Sequence, residues 1–182
     1  MQELPCSDVH GDTSNLATTV FALMKENETK LIRQANAFVK KNKSRARQIF
    51  ETVVDGWTPL HACALRGSKK LLKTMLGAGS DINIRMGHPE GLPDQCTLLH
   101  IACHRGDLKI CELLLSRGAD VTSKDGNCRT PVYYAAKRRH KRVIKLLEKK
   151  GADVSNVEKW APNISNECET PLPTTSGFCF FW

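Results

Sequence analysis

His100, Cys103 and His104 are spaced three and four residues apart, a spacing that sets side chains near one face of a helix and could in principle bring them to one metal ion. The rest of the chain gives that idea little support. It has eight cysteines, yet no Cys-x-x-Cys pair of the kind that holds structural zinc. Cys63, Cys103 and Cys111 instead fall within amphipathic helical patterns, where a thiol serves as a small core hydrophobe. No acid, nucleophile and base form a recognisable catalytic motif, and no glycine-rich phosphate loop is present. The expectation is a protein without catalysis, metal or cofactor, and with no small-molecule substrate.

The second chemical feature is charge. Of 182 residues 25% are charged and 41% are hydrophobic, with a net charge of +8, which fits one packed domain with modest extensions. Two segments hold most of the excess. Between Lys30 and Phe50 there are seven basic residues and no acid, and Lys137-Arg-Arg-His-Lys-Arg142 is followed by Lys145, Lys149 and Lys150. Such clusters attract polyanions, so nucleic acid or anionic lipid is one reading, and nuclear import signals at 40–47 or 137–142 are another. The opening residues do not resemble a secretory signal, and no apolar run approaches the roughly 18 to 20 residues of a membrane span. A cytoplasmic or nuclear protein with reduced cysteines, not a secreted one, is expected.

The elements that must position these residues emerge from self-similarity. Thr58-Pro-Leu-His-Ala-Cys-Ala-Leu-Arg-Gly67, Thr97-Leu-Leu-His-Ile-Ala-Cys-His-Arg-Gly106 and Thr130-Pro-Val-Tyr-Tyr-Ala-Ala136 align, and each is followed by a leucine-rich stretch and then by Gly79-Ser-Asp-Ile, Gly118-Ala-Asp-Val or Gly151-Ala-Asp-Val. Threonine suits a helix N-cap and proline the first turn. Alanines and cysteines allow close packing of that first helix, a glycine reverses the chain, and a second amphipathic helix comes next. These motifs resemble the ankyrin repeat family over about residues 53 to 155.

That resemblance implies an all-α solenoid of stacked helix-turn-helix units with hairpin-like connections and a helical N-terminal cap. The expected organisation is a flexible N-terminus at 1–14, a helical segment at 15–54 containing a helix pair from Thr29 to Lys40 and Ser44 to Val53, repeats at 55–83, 84–122 and 123–155, and an irregular tail at 156–182. Three departures stand out. The first two repeats are 39 residues apart instead of 33, the surplus lying in a Gly- and Pro-rich finger at 85–96. Arg139 replaces the turn glycine, at a cost of order 1 kcal/mol if it takes positive φ. Leu98 replaces a proline, and Tyr133 a histidine.

For His61 and His100 the resemblance implies hydrogen bonds between adjoining loops. It places partner contacts at hairpin tips and at the exposed ends of the first helices: Trp57, Leu65 and Arg66; His104 and Arg105; Asn127, Arg129, Lys137 and Arg138. An arginine-rich concave face with an aromatic at its edge favours an acidic protein partner, in the role of adaptor, scaffold or regulatory subunit. The terminal Gly-Phe-Cys-Phe-Phe-Trp is read as a dock over the last repeat, a partner anchor or the end of a shortened product.

Overall fold

The computed structural model describes residues 12–89 and 93–162. Among these, ten helices run in order: α1 (Thr13–Glu26), α2 (Glu28–Lys41), α3 (Lys43–Glu51), α4 (Pro59–Arg66), α5 (Lys69–Gly77), α6 (Leu98–Arg105), α7 (Leu108–Leu115), α8 (Pro131–Lys137), α9 (Lys141–Lys149) and α10 (Val157–Trp160). The pairs α4–α5, α6–α7 and α8–α9 are the repeating units. Inner helices α4, α6 and α8 pack in succession, and so do outer helices α5, α7 and α9. One apolar interior runs through all of them, and Leu60, Leu72, Leu99, Ile110, Leu114 and Leu147 are at most 1% exposed. Cys63, Ala64, Ala102, Cys103, Ala135 and Ala136 are fully buried, because only small side chains let the inner helices approach so closely.

The N-terminal segment holds three helices where a pair was expected. α1 has its own N-cap, the Asp12 carboxylate accepting from Ser14 N at 3.1 Å, and buries Leu16, Val20, Phe21, Leu23 and Met24. Thr13 and Ser14 are therefore helical and not part of a flexible arm. α1 packs on α4, α2 on α5, and α3 against both. Two asparagines break the run, each capping the helix that begins after it: Asn27 Oδ1 accepts from Lys30 N at 2.9 Å and Asn42 Oδ1 from Arg45 N at 3.0 Å. At the other end, Val157–Trp160 forms a helical turn inside the segment expected to be irregular, with Trp160 edge-to-face on Tyr133, centroids 5.3 Å apart. Residues 163–182, with the terminal aromatic run, lie outside the described residues.

Side chains reaching from one unit to the backbone of the next set the stacking register. His61 Nδ1 accepts from the Thr58 hydroxyl at 2.7 Å, leaving Nε2–H to donate to Cys96 O at 3.1 Å. His100 Nδ1 accepts from Thr97 N at 3.1 Å, and its Nε2–H donates to Arg129 O at 3.1 Å. Tyr133 takes this place in the third repeat and meets Trp160, so the ladder ends in an aromatic contact. A second ladder runs along the turns, where Arg105 donates to Leu65 O, and His140 Nε2–H to His104 O at 3.2 Å. These carbonyls belong to helix C-termini, which lack intrahelical donors. A third joins the fingers: Glu51 Oε1 accepts from Asp81 N at 2.8 Å, and Asn83 Oδ1 from Asp120 N at 2.9 Å.

The turn residues Gly67 and Gly106 have φ of 82° and 75°, and Arg139 adopts the same left-handed form at 58°. At Gly106 a Cβ would stand 2.5 Å from the His140 ring, whereas at Gly118, also left-handed, it would meet nothing within 4 Å. Burial lowers the pKa of His61 from 6.5 to about 4, and lowers that of His100 as well. Both imidazoles are therefore neutral.

With this turn geometry, Arg139→Gly should stabilise by about 0.5–1 kcal/mol in urea unfolding, while Gly106→Ala should cost about 1 kcal/mol or more beyond Gly118→Ala, because only the former adds a clash to the backbone strain. With the folded pKa of His61 depressed, its contribution is intact above pH 6.5 and is lost as pH falls toward about 4, since the unfolded chain takes up a proton that the folded chain refuses. Unfolding free energy should drop over that window by up to roughly 1.4 kcal/mol per pH unit on account of His61. His61→Gln should be less stable at neutral pH and show a shallower decline; an unchanged slope would refute the assignment.

Candidate functional site

The inner helices end in a column of cations. Arg66, Arg105 and Arg138 each immediately precede the turn residue of their unit, and all three are exposed. Beside them two clefts open along the inner face, sharing Leu65 as a common wall. The first is a shallow cleft lined by Leu65, Pro93, Cys96, His100, Ile101, His104 and Tyr134. The second lies between α1 and α4 and is lined by Phe21, Met24, Lys25, Trp57, Ala62, Leu65 and Arg66.

The lengthened finger supplies part of the first cleft. Its stem closes through Met86 N to Cys96 O at 3.0 Å, and its outer part lies on the preceding finger, Gly87 N donating to Gly56 O at 2.9 Å. A Cβ on Gly56 would come within 2.5 Å of Pro89 N, so only glycine admits this contact. On the far side Asp94 O accepts from Gly126 N at 2.8 Å, and Arg85 Nη1 donates to Lys124 O at 2.7 Å. Pro93 and Cys96 are thus held at the cleft from both sides.

A buried carboxylate supports the first cleft. Asp125, 4% exposed, accepts Asn127 N at 2.9 Å and Arg129 N at 2.8 Å on one oxygen, and the Tyr134 hydroxyl on the other. Burial and the adjacent carboxylate push the Tyr134 phenol above its usual range. Burial raises the Cys96 thiol to about 11. His104 falls to about 4, through burial and then the neighbouring charges of Arg138 and others, so at neutral pH its Nε2 is an acceptor, held by Arg138 Nε at 3.2 Å. The walls of the first cleft carry no ionised group at neutral pH.

The expected contact residues separate into several roles. Leu65 forms the ridge between the clefts, with Arg66 beside it. Trp57 is only 7% exposed, so it is a wall of the second cleft and not a projecting edge aromatic. Arg105 is spent on Leu65 O, His104 and Arg138 bind each other, and Arg129 and Lys137 flank the Tyr133 ring at 4.8 and 5.8 Å. Asn127 stands on the third finger, away from both clefts. The triplet considered for metal does not converge: the two ring nitrogens of His100 are occupied, Cys103 Sγ faces Cys111 Sγ at 4.0 Å, and His104 faces Arg138. Phe21, Met24, Pro93 and Tyr134 were missed as site residues. α1 is joined to the site only by tertiary packing, and Tyr134 is distinguishable from Tyr133 only by its place on the inner face.

A family model described as ankyrin repeats (3 copies) matches residues 7–125 and 86–158, taking in the N-terminal helices as well as the three units. The chain belongs to the ankyrin-repeat family. No curated protein matches it. Ankyrin repeats are generally protein–protein interaction modules, and the inner face with its fingers is where this member presents clefts.

Tyr134→Phe should leave one oxygen of the buried Asp125 carboxylate without its hydroxyl donor. A loss of about 1–3 kcal/mol is expected in urea unfolding, and Asp125→Asn combined with Tyr134→Phe should cost less than the sum of the two single changes.

Proposed function

We propose that this ankyrin-repeat protein is a non-catalytic adaptor, scaffold or regulatory subunit of the cytoplasm or nucleus that binds an acidic protein segment along its inner face. The observation that carries the reading is the pairing of two largely apolar clefts about Leu65 with the cations beside them, Lys25 and Arg66 lining the second and Arg138 held against His104 of the first. Apolar anchors seated in desolvated pockets supply most of an interface's affinity, and charges at the rim govern encounter rate and partner choice. Leu65 and Ala62 are half-buried on this face, so anchor side chains of a partner would seat against them. Acidic residues flanking those anchors would face Arg66 and Arg138. The finger at 85–96 contributes Pro93 and Cys96 to one wall, and in this reading it tunes which anchor fits.

A photo-crosslinking amino acid at position 65 tests the proposal in cells. The expected result is a single dominant protein adduct, with the crosslinked peptide rich in Asp and Glu, reduced at least about tenfold by Arg66→Glu with Arg138→Glu while the circular dichroism spectrum stays unchanged. Adducts to basic peptides, nuclease-sensitive recovery, or adducts indifferent to the charge reversal would overturn it.

A further inference from the structure

The positive charge of this protein is concentrated on its outer helices. α2, α5, α7 and α9 pack in succession, and none of their residues lines either cleft. Together they carry twelve cations against three carboxylates, Glu28, Glu112 and Glu148. That excess of nine is larger than the +8 of the whole chain, so the charges of all other segments nearly cancel. Lys69, Lys70 and Lys73 of α5 and Lys145 and Lys149 of α9 are exposed, and none of the five makes an ion pair among the described residues. Adjacent packed helices lie about 8–10 Å apart, roughly one Debye length at physiological salt, so cations of neighbouring helices repel one another. An external polyanion relieves that repulsion.

The outer helices present charge with little apolar surface. Among the described residues the exposed large hydrophobic side chain is Val53, which follows α3, and Phe38 of α2 packs against the core. A charged layer without an apolar centre is unlike a protein interface. Without an exposed aromatic ring it has nothing on which the bases of a single strand could stack. Without an inserting apolar group it lacks the second signal that stable attachment to a bilayer requires. The phosphodiester backbone of a duplex needs none of these, because clustered Lys and Arg bind it by releasing its condensed counterions. The dimensions agree with that ligand. Three helix spacings make the layer about 24–30 Å across, a length over which a duplex carries about 14–18 phosphates, roughly half of them on the near side. That half is close to the excess of nine cations.

We propose that the outer helices bind the backbone of double-stranded nucleic acid without reading its sequence, while the inner clefts stay open to a protein partner. The full chain is titrated by fluorescence anisotropy against labelled DNA and RNA duplexes of about 20 base pairs, each in unrelated sequences. Affinity should differ less than about threefold between sequences, and the tighter of the two duplex types identifies the ligand. Between about 50 and 200 mM salt it should fall about a thousandfold or more, a slope of about −5 to −8 in log K against log salt. Lys70→Gln, Lys73→Gln, Lys145→Gln and Lys149→Gln together should make that slope shallower by about 3–4 and weaken binding about a hundredfold or more at about 0.1 M salt. Lys124→Gln with Lys159→Gln, which remove charge from a finger and from α10, should change affinity less than about threefold. Circular dichroism confirms that the variants fold. Digesting nucleic acid should leave the crosslinks from position 65 unchanged, so this reading and that of the clefts fail separately. Absence of duplex binding at about 50 mM salt, a single strand of equal length bound as tightly, equal losses from both sets of substitutions, or tighter binding to phosphatidylserine vesicles at the same salt would overturn the proposal.

Discussion

A buried neutral imidazole donating to the backbone of the next unit is the interaction on which this stack depends. No helix pair here can enclose its own apolar faces, so the units must meet in one register, and apolar contact alone sets register poorly. His61 and His100 supply direction. Each is oriented by a threonine three residues before it, and each reaches the carbonyl of the residue that precedes the next threonine. The bond that satisfies a buried carbonyl also places the next helix start. Burial keeps these rings uncharged, which ties the cohesion of the array to pH.

The same logic explains how the array ends. The third unit has Tyr133 in place of the ladder histidine, and it turns to Trp160 of α10. At the opposite end α1, α2 and α3 cover the first unit, and Glu51 supplies to the start of the lengthened finger the acceptor that Asn83 supplies to the next. The turn ladder covers each glycine with a side chain from the following unit, so Arg105 and His140 exchange freedom at the surface for cohesion. This is why several residues that look available for a partner in the linear chain are already engaged.

The two faces of the slab differ in chemistry for a geometric reason. Inner helices end together, so the residues before their turns line up beside clefts whose walls are largely apolar. Outer helices lie side by side with their exposed edges toward solvent, and positions there that need not pack have accumulated lysine. One face therefore combines apolar clefts with a few arginines, and the other is rich in lysine.

The repeating Thr, His, Ala and Gly positions are enough to assign the helix pairs and the histidine hydrogen bonds, because each arises from contacts local to a unit or repeated identically between units; Arg139 in place of the turn glycine reads as a local change of the turn, yet it takes the same left-handed form, with φ of 58°. The sequence reads as helical over 15–54 but specifies only a pair there; the separate α1 is signalled by Asp12 and the spacing of Leu16, Val20, Phe21 and Leu23, and the brief α10 depends on packing against α8. The clefts were not legible. Phe21, Leu65 and Tyr134 come from segments far apart in the chain, and only the stacking brings their side chains to one surface. Whether an arginine faces solvent or a carbonyl is likewise decided by the neighbouring unit, since the carbonyl that binds Arg105 lies 40 residues earlier.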